Sequence, residues 1–211
     1  MSRQKIVTSH SKFTETLVIL FTVIFAWLSL GGANCAAAPT PSVNKPEHRE
    51  EWKITSQPTP NTFNLATVYF YLGLKFYDLE QWQKAIVTFR EALKIRPDCE
   101  VTYFSLGITY SRLEFWEEAL ASFIKAIELK PDYAQAYLGL GIAYDMLGWG
   151  HEAIKALMKA IQVKPGYAQA HYALALSYLK LGDKASALKE HGILKTLDPN
   201  LANHLLDLIN R

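Results

Sequence analysis

The chain has 211 residues, half of them apolar, with 22 Lys and Arg against 20 Asp and Glu. That is room for one domain plus extensions and enough apolar material for a core. The small positive excess falls at the N-terminus, where Arg3, Lys5 and Lys12 face Glu15 alone. What remains is charge-balanced and shows no basic stripe, which excludes a nucleic-acid footprint.

Residues 1–16 are polar and basic. Leu17–Leu30, LVILFTVIFAWLSL, is apolar, and Gly31–Ala38, GGANCAAA, is small and weakly polar. A basic flank, an apolar run and a small-residue stretch have the layout of a secretory signal. The uncharged stretch Leu17–Ala38 is also long enough to span a bilayer, for which about 20 residues suffice. Residues 1–38 are therefore read as a signal peptide or an N-terminal membrane anchor. A lipidated Cys35 is a third reading, weakened by Asn34 before it. Each of these exports the rest of the chain, to a periplasmic, lumenal or extracellular site.

Residues 39–65 read as a flexible linker, with prolines at 39, 41, 46, 58 and 60 and a mixed-charge cluster, His48–Lys53. Trp52 and Ile54 are its one sizeable apolar pair, inert or docked on the residues beyond 65.

From residue 66 onward one pattern recurs every 34 residues, marked by Pro97, Pro131, Pro165 and Pro199. Tyr69, Tyr103, Tyr137 and His171 share a slot. Leu72, Leu106, Leu140 and Leu174 share the next, beside Gly73, Gly107, Gly141 and Ala175; Phe76, Tyr110, Tyr144 and Tyr178 come after. Later slots hold Ala85, Ala119, Ala153 and Ala187, then Phe89, Phe123, Leu157 and His191. A fixed period of this length marks a stacked array. The spacing i, i+3, i+4, i+7 in each half predicts two amphipathic helices per repeat. A mid-helix glycine costs about 1 kcal/mol against alanine, so close helix approach is expected there, with the alanine slots facing it. Asp98, Asp132 and Asn200 are candidate N-caps, and Gly148 and Gly182 candidate ends of first helices.

These motifs resemble the tetratricopeptide repeat family: Tyr69-x2-Leu72-Gly73-x2-Phe76 with Ala85-x3-Phe89, repeated from Tyr103 and Tyr137. The resemblance implies an all-α fold, a right-handed superhelical solenoid of antiparallel helix pairs. The repeats are set at 66–99, 100–133, 134–167 and 168–201, the last departing at His171, Ala175, His191 and Leu194. Residues 202–211 are read as a capping helix, which a solenoid end needs.

The resemblance also implies that first helices line a concave groove. The family's groove slots hold Phe70, Leu74, Phe104, Ile108, Leu138, Ile142, Tyr172 and Leu176. None can donate a charge-assisted hydrogen bond to a carboxylate. The expected occupant is an apolar or amphipathic protein helix, and the double substitution of Phe104 and Leu138 by Glu is expected to abolish capture with helix content kept.

No catalytic set appears, and no cofactor or metal is assigned. Gly139-Leu140-Gly141 lies within a helix, not in a phosphate-binding turn, and His151-Glu152 lacks a second histidine at helical spacing. His171 and His191, with His204 nearby, are weighed as metal ligands against packing in aromatic slots. A lone Cys99 in an exported domain would have no internal disulfide. Trp82, Trp116 and Trp149 lie just after the inter-helix turns, as packing or as an exposed ladder. The function expected is a non-enzymatic protein-interaction scaffold, exported or tethered to a membrane, with assembly of a membrane complex as one such role. The alternatives are a self-associating structural protein, or an enzyme or metal protein around His171 and His191.

Overall fold

The structure is a computed structural model that describes residues 60–210, with side chains from Leu65 onward. The leader, Cys35 and the Trp52–Ile54 pair lie outside the described residues. Among the described residues no helix is long and apolar enough to cross a membrane.

The described residues are all helical: α1 (Pro60–Asp78), α2 (Trp82–Ile95), α3 (Glu100–Arg112), α4 (Trp116–Leu129), α5 (Ala134–Met146), α6 (Gly150–Val163), α7 (Ala168–Lys180), α8 (Lys184–Leu197) and α9 (Pro199–Ile209). Consecutive helices pack as antiparallel neighbours, joined by turns of a few residues. The linker expected to reach residue 65 is corrected, because α1 begins at Pro60. A proline at the first helical position loses no hydrogen bond and has its φ already set.

First and second helices differ in kind. The second helices α2, α4 and α6 bury one stripe, such as Ala119, Ser122, Phe123 and Ala126 on α4. The first helices α3, α5 and α7 bury nearly every residue in mid-helix, as in the run Phe104–Thr109. A helix apolar all round belongs inside an array. Buried hydroxyls on these helices are satisfied by the preceding turn: Ser105 donates to Val101, Thr109 to Ser105 and Ser111 to Gly107.

The glycine slot faces chiefly the slot of Phe89, Phe123 and Leu157, and in the third repeat Gly141 also meets the Ala153 backbone. A Cβ on Gly107 would stand 2.7 Å from the Phe123 ring, and one on Gly139 in the next repeat 2.6 Å from the same ring. Phe123 is thus wedged between two first helices that approach it with bare backbone. That contact offsets the propensity cost of the glycines.

The expected N-caps are corrected. Cys99 and Tyr133 occupy the N-cap positions, without side-chain caps, one residue after Asp98 and Asp132. Asp198 caps α9 through the amides of Asn200 and Leu201, so Asn200 lies inside that helix. The lone-thiol reading of Cys99 is corrected as well: it is disulfide-bonded and buried, and Thr102 donates to its Sγ at 3.0 Å.

Candidate interaction surface

The eight expected groove residues do not form an open stripe. Seven of them are 0–5% exposed, and Leu74 is partly buried. Phe104 packs its ring on Phe123 and Tyr133 at 5.9 and 5.0 Å, and Phe70 packs on Phe89 at 5.9 Å. Phe70, Phe104, Ile108, Leu138 and Ile142 belong to one core with Leu74 against it, while Tyr172 and Leu176 belong to a second with Leu194 and Leu205. The expectation that Phe104→Glu with Leu138→Glu would spare the helices is therefore corrected, since both substitutions bury a charge without a partner.

The histidines are also separate. His171 places Nδ1 2.6 Å from the Glu190 carboxylate and Nε2 2.9 Å from the Pro165 carbonyl, joining the two helices of its repeat. His204 meets the Tyr172 hydroxyl at 2.6 Å through Nδ1. His191 is buried in its aromatic slot with Nε2 unpartnered. Among the described residues no three ligand-type side chains converge.

What the array does present is a line along the inter-helix turns. The turns close alike in all four repeats. After the third, Gly148 N–H bonds Asp145 O at 3.3 Å and Trp149 N–H bonds Tyr144 O at 2.9 Å. This pair of bonds is the Schellman motif, and it needs a left-handed residue. Gly148 and Gly182 supply it at φ +81° and +80°, and Glu80 and Glu114 adopt it at 57° and 60° without the advantage of glycine. The motif then fixes the next residue, which is Gln81, Phe115, Trp149 or Asp183. Phe115 and Trp149 lean on Tyr110 and Tyr144, with ring centroids 6.5 and 5.8 Å apart. Each nonetheless stays half exposed, at 48% and 51%. Of the three tryptophans weighed as packing or as an exposed ladder, Trp82 and Trp116 are half-buried, and Trp82 packs on Tyr77 at 4.8 Å.

The same edge carries the charged ends of the first helices. Arg112 donates from Nε to the Tyr77 hydroxyl at 3.0 Å and covers the Trp82 ring, tying repeat two to repeat one. Ser177 donates to the Asp145 carboxylate, and Lys180 donates to the Asp145 carbonyl at 3.3 Å, tying repeat four to repeat three. Burial pushes the Asp145 carboxyl above the usual carboxylate range, partly opposed by the nearby Lys180 cation. Burial likewise pulls Lys180 down, opposed by Asp145. The sequence reading weighed Trp149 with Trp82 and Trp116 as packing or an exposed ladder and missed Phe115, because positions 81, 115, 149 and 183 share the repeat spacing but hold Gln, Phe, Trp and Asp.

Comparison with known proteins agrees with this packing. Family models match residues 66–99 as a tetratricopeptide repeat, and 115–148 and 151–182 as TPR repeats. No curated protein sequence matches the chain. Among solved structures, MamA protein is 28% identical, with TM-score 0.61, covering 70% of this chain and 85% of that one. TTC0263, a thermophilic TPR protein in Thermus thermophilus, is 26% identical, with TM-score 0.57, covering 64% and 77%. The first TPR of Spaghetti (RPAP3), solved with an HSP90 peptide, shares the fold at 23% identity and TM-score 0.55, covering 56% and 94%. Such arrays are, as a class, protein-interaction scaffolds. With its 34-residue period, its glycine-on-phenylalanine packing and these matches, the chain belongs to the tetratricopeptide repeat family.

Proposed function

We propose that this chain is a non-enzymatic scaffold, exported or held at a membrane by its N-terminal segment, that binds an amphipathic protein segment and so helps assemble a membrane complex. The observation that carries the binding mode is the turn edge. Phe115 and Trp149 stand half exposed at equivalent places in adjacent repeats, beside Arg112, Asp145 and Lys180. An amphipathic segment has an apolar side for the rings and a polar side for the charges, so it suits such an edge better than an acidic tail or a purely apolar helix does. Large aromatics at such a place are the side chains that dominate binding energy when covered. Membrane placement and export rest on the composition of residues 1–38 alone.

The test is Phe115→Glu with Trp149→Glu in the full-length chain. Both side chains are already half in water, so circular dichroism and melting should change little. Crosslinked capture from intact membranes should fall by about tenfold or more, on the order of one lost hot spot. Undiminished capture by the folded double variant would refute the turn edge. Recovery of the chain only from cytosol would refute the membrane placement.

A further inference from the structure

The two ends of the array are finished differently. At the C-terminal end, α9 buries Ala202, Leu205 and Ile209 and turns Asn203, His204 and Asp207 to solvent, the polar cap that solenoid ends require. At the N-terminal end, α1 exposes Leu65 (46%), Val68 (58%), Tyr71 (50%) and Leu72 (40%). In each later repeat the same four slots are covered by the repeat before. Cys99, Tyr133 and Tyr167 answer to Leu65, and Thr102, Ala136 and Ala170 to Val68, all at 6% or less. Leu106, Leu140 and Leu174 answer to Leu72, at 8% or less. Among the described residues the outer face of α1 is thus an inter-repeat interface without its neighbour.

What fits it is not another ordinary repeat. Tyr71 stands where later repeats have Ser105, Gly139 and Ala173. That slot is small because the preceding phenylalanine lies on it, as Phe123 lies on Gly139. A tyrosine there has no room for such a neighbour, and the polar C-terminal cap offers none. Head-to-tail stacking into a filament is therefore disfavoured at both ends of the array. The exposed residues instead follow a heptad seam, with Leu65, Val68, Leu72 and Lys75 spaced three, four and three apart, and Tyr71 alongside. This seam is complementary to itself when reversed. In an antiparallel pair Val68 lies against the partner's Leu72 and Leu72 against the partner's Val68. Leu65 then lies along the aliphatic stem of the partner's Lys75. The two Tyr71 rings meet near the two-fold axis.

We propose that a second copy of this chain occupies the face, pairing α1 with α1 in an isologous, closed dimer. A seam of this length belongs with the small, transient interfaces, below about 1,200 Å² in total. The dissociation constant expected is therefore on the order of micromolar. This goes beyond the proposed function, since it uses α1 and not the turns that carry Phe115 and Trp149.

The experiment is sedimentation of the full-length chain in mild detergent across a concentration series, with the Val68→Glu variant in parallel. The expected result is a monomer–dimer equilibrium, weakened at least about tenfold by Val68→Glu, with unchanged circular dichroism. A wild-type chain that is monomeric up to about 100 µM, well above the affinity expected for such an interface, would overturn the proposal. It would then be the chain's own N-terminal residues or another protein that covers the face. A dimer that survives Val68→Glu would also overturn it. If that variant fails to fold, Tyr71→Cys decides: a disulfide-linked dimer on oxidation, absent for Met158→Cys on α6, is the expected result, and its absence refutes the pairing.

Discussion

Two slots of the same repeat hold large apolar side chains at the same spacing, and the structure treats them oppositely. Phe104 and Leu138, in the middle of α3 and α5, are 1% and 0% exposed. Phe115 and Trp149, just past the ends of those helices, are half exposed. The first column is large and apolar in all four repeats, as Phe70, Phe104, Leu138 and Tyr172, and the second only at Phe115 and Trp149, yet two adjacent repeats carry both. Backbone geometry separates them. The first slot lies on a helix enclosed by its own second helix and its neighbours; the second is pushed outward by a left-handed residue that turns the chain.

The contrast is sharpest in stability. Phe104→Ala removes a ring held by Phe123 and Tyr133 and should cost about 3–5 kcal/mol, whereas Phe115→Ala should cost well under about 1 kcal/mol, both read by denaturant unfolding. Equal losses would show that the turn edge is part of the core. Next in size is Gly107→Ala, whose new Cβ would press on the Phe123 ring at 2.7 Å. Overpacking of that kind costs about 1–3 kcal/mol, although alanine is the better helix former. A stabilised variant would mean that the glycine slot is not a close-approach site.

The turns give a smaller and paired effect. Gly148→Ala should lose about 1 kcal/mol, because φ is +81°, and Glu114→Gly should gain a comparable amount, because φ is +60°. Melting temperatures moving in opposite directions are the expected outcome. The smallest effect concerns Asp145. Its folded pKa is raised above the unfolded value, chiefly by burial, so the folded state binds more protons as pH falls into the range just above the ordinary carboxylate pKa. Asp145 therefore favours the fold below that window and loses this contribution as pH rises through the raised pKa. Asp145→Asn should flatten that part of the stability–pH curve and leave the neutral-pH melting point equal or slightly higher. A stronger pH dependence in the variant would contradict the assignment.

Much of the fold was legible because the repeat writes it several times over. The prolines at 97, 131 and 165 fall between the second helix of one repeat and the first helix of the next, and Gly148 and Gly182 do take the left-handed turn position. The aromatic and alanine slots fill the core. The site was less legible, for a physical reason. First helices that are apolar nearly all round give no signal of which side faces a groove, so Phe104 and Ile108 read as surface when they are interior. Glycine was expected to face alanine, yet the pairing with Phe123 spans two repeats and only the packed array reveals it. Asp98 and Asp132 have the chemistry of N-caps but stand one residue early. Pro60 reads as linker because its neighbours include prolines, although proline also starts helices.

The central claim is that partners meet the array at its turn edge. A photo-crosslinking residue placed at Trp149, or at the exposed Met158 on α6 (54% exposed) as control, in the full-length chain in native membranes tests it directly. The account predicts one dominant protein adduct from position 149 and none from 158. Adducts of equal strength at both positions, or none at 149 while the chain remains folded in the membrane, would contradict it.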